Sequence, residues 1–132
     1  MTRETLEKID EILKEIHDYS TNGTPIIVEG EKDEKALREL DIPGPVYRIS
    51  GSKETSLNFL EQFSGHERVL VLTDFDHAGD NLADFCVKQL EILEVETIIE
   101  PRRKLKWLVR KYTKDIEGLP KFLRRQKAEV TR

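Results

Sequence analysis

Arg68-Val69-Leu70-Val71-Leu72-Thr73-Asp74-Phe75-Asp76-His77-Ala78-Gly79 is the stretch on which the fold turns. It is an unbroken apolar run that stops at a carboxylate and then reaches a glycine. Such a run, with no polar residue alternating through it, predicts a strand buried on both faces. Toward the N-terminus, Pro25-Ile26-Ile27-Val28-Glu29-Gly30 repeats the pattern and is followed by Glu31-Lys32-Asp33. In an open parallel sheet, functional groups collect just past the carboxyl ends of the strands. Glu29, Asp74 and Asp76 are therefore expected along one rim. Acids held together without a basic partner need a cation, and Mg²⁺, with Mn²⁺ as a substitute, is the natural one.

The rest of the chain fits around these two strands. Leu6, Ile9, Leu13, Ile16 and Tyr19 recur at helical spacing and predict a helix over 3–19, ended by Ser20-Thr21-Asn22-Gly23. Strands are predicted at 25–29, 46–49, 68–73 and 95–99. Helices are predicted at 32–40, at 54–64 with Leu57, Leu60 and Phe63 inward, and at 78–93 with Leu82, Phe85, Cys86, Leu90 and Leu93 inward. Two more are predicted at 102–111 and 119–127. The alternation implies a parallel sheet with right-handed crossovers. The 132 residues fit one domain, with a motif core over 24–100, an N-terminal helix in 1–23 and basic helices in 101–132.

Composition narrows the class. No run of 18 apolar residues is present, so no membrane span is expected. The charged N-terminus does not read as a signal peptide. The single cysteine, Cys86, has no partner for an internal disulfide, which fits a reducing, cytoplasmic setting. Its place on a core-facing stripe makes it a small apolar group. Forty-eight charged residues against three Asn and three Gln is a balance common in proteins from hot environments. The net charge of −4 hides an asymmetry. Residues 102–132 hold 12 Lys or Arg and three acids, a charge of +9; residues 1–101 hold 10 and 23, a charge of −13. A basic end on an acidic body suggests an anionic partner such as nucleic acid, reached by Arg102, Arg103 and Lys104; a solvated helix face explains the charge equally well.

Val28-Glu29-Gly30 and Asp74-Phe75-Asp76-His77-Ala78-Gly79 resemble the two halves of the Toprim signature, a strand ending in Glu-Gly and a later strand ending in Asp-x-Asp-x-x-Gly. The resemblance spans roughly residues 24–100. It is nearest to the small stand-alone Toprim proteins and to the Toprim ribonuclease that matures 5S ribosomal RNA. Phe75 stands where proline is common, and the middle residue is expected to point away from the metal. The resemblance implies a compact Rossmann-like α/β fold with about four parallel strands and helices on both faces. It also implies that Glu29 acts as general acid or base while Asp74 and Asp76 hold Mg²⁺.

The residues carry the same chemistry on their own terms. Cleaving a phosphodiester requires charge neutralisation on the phosphoryl oxygens, an oriented nucleophile and a protonated leaving oxygen. Asp74 and Asp76, two apart, would share one side of an extended segment, and Glu29 would complete the site or handle the proton. Helix capping accounts for one such aspartate but not for three acids at two strand ends. Asp33 and Asp80 are auxiliary ligand candidates, with first-turn helix charges as the stronger reading. Lys32 and the loop Ser50-Gly51-Ser52-Lys53 are candidate phosphate contacts, with a plain polar loop the equal alternative. Trp107 has a base-stacking reading, but its amphipathic setting favours core packing. Glu117 has a possible return to the site that nothing in the sequence fixes.

Topoisomerase and primase functions are not expected, because each needs further domains, and no Walker A motif suggests ATP use. The expectation is a Mg²⁺-dependent nuclease or phosphodiesterase acting on nucleic acid, RNA above all. Two alternatives stand beside it. One is a non-catalytic metal- and nucleic-acid-binding module, or an accessory subunit of an RNA-processing or replication assembly. The other is hydrolysis of a small phosphoester.

Overall fold

Ile26, Ile27 and Val28 are wholly enclosed, as are Val69, Leu70 and Val71, because helices cover both faces of the sheet they form. The computed structural model describes residues 1–50 and 55–131. Its elements run α1 (Arg3–Thr21), β1 (Ile26–Val28), α2 (Glu31–Glu39), β2 (Val46–Arg48), α3 (Ser56–Glu61), β3 (Arg68–Val71), α4 (His77–Ile92), β4 (Glu96–Ile98), α5 (Glu100–Val109) and α6 (Leu119–Val130). The four strands are all parallel, in the order β2-β1-β3-β4. The chain is thus of the α/β class, as the alternation predicts.

Pleating sends alternate residues to opposite faces. Ile26, Val28, Leu70 and Leu72 join a core cluster with residues of α1, α2, α5 and α6. Ile27, Val69 and Val71 join the other cluster with residues of α3 and α4, including Cys86. Each such enclosed aliphatic side chain contributes about 1.5–3 kcal/mol through burial. The crossover from β1 to β2 steps one way along the sheet, and those from β2 to β3 and β3 to β4 step the other way. Right-handed connections then require a change of face. Accordingly α2 packs on one face, and α3 and α4 on the other.

The differences from the sequence expectation are local. Ile12, rather than Leu13, is fully inside on α1, and Leu57 is 52% exposed, so it does not join Leu60 and Phe63 in the core. Burial pushes the Cys86 thiol up to about 12, in keeping with an inert apolar role. No helix among the described residues is long and apolar enough to cross a membrane.

Candidate functional site

The chain's progress along the sheet reverses between β1 and β3, and the crevice past their carboxyl ends is where open α/β sheets bind ligands. Leu72 N–H donates to Ile27 O at 2.8 Å, so the residues that follow each strand stay side by side. Glu29 follows β1 and Asp74 follows β3. The Asp74 backbone N–H donates to Glu29 Oε2 at 2.7 Å, which fixes the glutamate across the crevice.

Asp33 joins them. It is 7% exposed, and its Oδ2 accepts the Gly30 N–H at 3.1 Å. Asp33 is therefore both a first-turn charge of α2 and a neighbour of Glu29 and Asp74. Burial raises its pKa; the N–H groups of Gly30 and Glu117 oppose the rise, while the charges of Glu29 and Asp115 add to it. Asp74 responds more strongly. Burial, then the charges of Asp33 and Glu29, lift it to about 7 against the Ile116 N–H, and its carboxyl also shares a hydrogen bond with Glu29. Three carboxyl groups meet at this rim, and burial together with their mutual repulsion keeps a proton on Asp74 toward neutrality.

Asp76 is committed in part to the next helix. It is exposed and is the N-cap of α4, its Oδ1 accepting the Gly79 N–H at 2.7 Å. Capping thus explains one oxygen of Asp76, and Oδ2 is left for another partner. Phe75, between the two aspartates, is buried in the core away from the rim. Among the described residues, no three His, Cys, Asp or Glu side chains converge tightly enough to hold a metal ion unaided.

One expected role, that of Arg102, is corrected. Asp80 takes the first-turn place that was its stronger reading, paired there with two cations. Burial pushes its pKa up, but the Lys106 ammonium and the Arg102 guanidinium outweigh that and hold it below the usual carboxylate range. Arg102 is 5% exposed and out of reach of nucleic acid. Its Nε donates to Thr73 O at 3.0 Å, and its NH2 donates to Asp74 O and, at 2.8 Å, to Asp80 Oδ1. A buried guanidinium is stable only when its donors are filled, and here the filling clamps the loop that presents Asp74. Arg103 and Lys104 are exposed, as a nucleic-acid contact requires.

The segment after α5 returns to the rim and completes it. Lys114 O accepts the Phe75 N–H at 2.7 Å, and the Ile116 N–H reaches Asp74 Oδ1 at 3.4 Å. Glu117 Oε1 lies 4.0 Å from Lys32 Nζ, an exposed pair of little energetic weight. Glu117 therefore does come back, chiefly through the backbone of its loop. Lys32 stands exposed beside the acids, and the Ser50 N–H donates to Glu29 O at 2.9 Å, which brings Ser50 to the same rim. Gly51, Ser52 and Lys53 lie outside the described residues.

The two motif glycines differ in what they do. A Cβ at position 79 would sit 1.8 Å from the Asp74 carbonyl oxygen, and Thr73 Oγ1 donates to Gly79 O at 2.7 Å. Backbone meets backbone there, so nothing can yield. Gly79→Ala is expected to cost about 3 kcal/mol, read as a lowered melting temperature. A Cβ at position 30 meets nothing within 4 Å. Gly30→Ala should stay within about 1 kcal/mol of wild type, and equal losses at both positions would refute this steric account.

No family model matches the chain. It is 36% identical over 119 residues to a UPF0292 protein of Methanosarcina barkeri, covering 89% of this chain and 81% of that protein. It is 37% identical over 122 residues to a UPF0292 protein of Pyrococcus furiosus, covering 90% and 86%. A solved structure from Aquifex aeolicus has a TM-score of 0.69 and 25% identity, over 83% of this chain and 96% of that one.

Proposed function

The chain belongs to the UPF0292 family, and we propose that it is a Mg²⁺-dependent phosphodiesterase acting on nucleic acid, RNA above all, as its resemblance to Toprim proteins implies. One observation carries this reading: Glu29, Asp33 and Asp74 crowd together at the switch point of the sheet, and Asp74 is lifted to about 7. Acids are kept in mutual repulsion where a site needs them, at some loss of stability.

The residues fit Mg²⁺ in a particular way. Mg²⁺ keeps several waters and takes one or two carboxylates plus substrate phosphate, so a closed protein cage is not required. Glu29 and Asp74 would hold it, with Asp76 Oδ2 within the same loop. When bound, the ion supplies positive charge to the phosphoryl oxygens. The chain's own groups do the rest. Glu29, fixed by the Asp74 N–H, gives or takes the proton of the attacking or leaving oxygen. Arg102 keeps the Asp74 backbone in place. Lys32, exposed at the first turn of α2, offers an ammonium to a phosphate.

A binding module without catalysis is the second reading. It is favoured by the use of one Asp76 oxygen as a helix cap. Labelled RNA and DNA incubated with purified protein in Mg²⁺, Mn²⁺ or chelator separate the two. Cleavage in Mg²⁺ that chelator stops supports the enzyme. Metal-dependent association without cleavage of any substrate supports the module.

A further inference from the structure

α5 carries a second feature that the acid rim does not use. Trp107 is 71% exposed, so it does not pack in the core as its amphipathic setting suggested. Leu105 and Val109 occupy the buried side of α5, while Arg103, Trp107 and Arg110 follow at positions i, i+4 and i+7 along the outer side. The Arg110 guanidinium lies 4.8 Å from the indole centroid. The three form one wall of a groove of about 740 Å³ between α1 and α5, lined by five cationic side chains and two glutamates, Glu11 and Glu15. Lys106 is taken by Asp80 and Arg103 by Glu100, but Lys104 and Arg110 make no ion pair among the described residues.

The exposed indole and the cations beside it point together to one partner chemistry. The cations ask for an anion, and the ring asks for a flat π-face. We infer that Trp107 and Arg110 form a stacking platform for single-stranded nucleic acid, with Lys104 contacting its phosphates. Every base offers a π-face, so binding would tolerate many sequences. Arg110 adds a cation–π contribution. A duplex hides its base faces inside its own stack and cannot reach the ring. An acidic peptide satisfies the cations but leaves the indole unmatched. Trp107 lies five residues past Arg102, about 7.5 Å along the helix, and Arg102 touches the Asp74 carbonyl. The two residues lie on different sides of α5, Arg102 buried and Trp107 exposed, so the platform is a surface separate from the acid rim. The inference takes from the proposed function only that the partner is nucleic acid.

Trp107 is the sole tryptophan, so its fluorescence reports on the platform directly. The full chain is titrated in chelator, where no metal-dependent cleavage occurs, with a single-stranded RNA of about 12 nucleotides. The expected result is saturable quenching of wild type and, by anisotropy of the same RNA carrying a dye, affinity lowered at least about fivefold by Trp107→Ala and largely kept by Trp107→Phe. Three results would overturn the inference. One is association without quenching that Trp107→Ala leaves unchanged. The second is equal affinity for a matching duplex or for an oligoglutamate peptide. The third is self-association in sedimentation that Trp107→Ala removes, which would give the face to a second copy of the chain. Quenching with no cleavage in Mg²⁺, or cleavage with no quenching, tells a failure of one reading from a failure of the other.

Discussion

Glu29→Gln is expected to abolish Mg²⁺-dependent cleavage while leaving nucleic-acid binding intact or slightly tighter. The substitution keeps the shape of the side chain, and the amide oxygen can still accept the Asp74 N–H that now meets Glu29 Oε2 at 2.7 Å. What is lost is the group that carries the proton. General acid–base help is worth on the order of a hundredfold or more in rate. The loss should therefore show in a single time course of labelled substrate. Binding should not weaken, because removing a negative charge reduces repulsion of phosphate. Cleavage that survives Glu29→Gln at full rate would point to a contaminating nuclease and sink the catalytic assignment. If wild type does not cleave at all, the same pair of proteins still tests the module reading, through Mn²⁺-dependent association.

Asp74→Asn is expected to lose cleavage in the same assay and to gain stability, with the pH signature of an acid raised by burial and by neighbouring charges. Asp74 ionises near 3.8 in the unfolded chain and near 7 in the folded one. Below about pH 4 both states hold the proton, and the group has no effect on folding. From about 4 to 7 the unfolded chain releases the proton while the folded chain keeps it, so wild-type stability falls as pH rises. Above about 7 the loss is complete. Asparagine does not ionise, and its Oδ1 can still accept the Ile116 N–H while its amide donates to Glu29. In chelator, the variant should melt with wild type at pH 4, then above it by a margin that grows to about pH 7 and stays level beyond. Asp33, also raised by burial, remains in both proteins, so the difference between the two melting curves reports Asp74 together with its coupling to Asp33 and Glu29. A margin that does not change with pH would show that the Asp74 charge is not strained. Saturating Mg²⁺ should narrow the margin, because a cation relieves the repulsion in wild type and finds less to bind in the variant.

Legibility varied with how far each contact reaches along the chain. Thr55 and Asp76 cap the helices that follow them three residues on, and Ala36, Leu37, Cys86 and Leu90 fall on the buried stripes that helical spacing predicts. Leu57 and Trp107 were misjudged because spacing marks a stripe but not its edge. How far a helix turns its flank toward a neighbour depends on what packs there. Arg102 was misjudged for a different reason. Its pairing with Asp80 joins α4 to α5 across 22 positions, and an isolated base in a sequence carries no mark of the partner that will neutralise it.

The sequence by itself determined the strands, the helices and the parallel class, together with the acids that end the two central strands. Burial on both faces writes an unbroken apolar run, and helical burial writes a period of 3.6; both are properties of neighbouring residues. The tertiary structure alone decided which acids meet. The order β2-β1-β3-β4 sets Glu29 against Asp74 across 45 positions, and the loop after α5 returns to bring Ile116 to Asp74 across 42. It also turned one oxygen of Asp76 to the helix, enclosed Arg102 and left Trp107 in solvent. These outcomes follow from the packing of whole elements, whose free energy is shared among many distant side chains and is not written in any short stretch of chain.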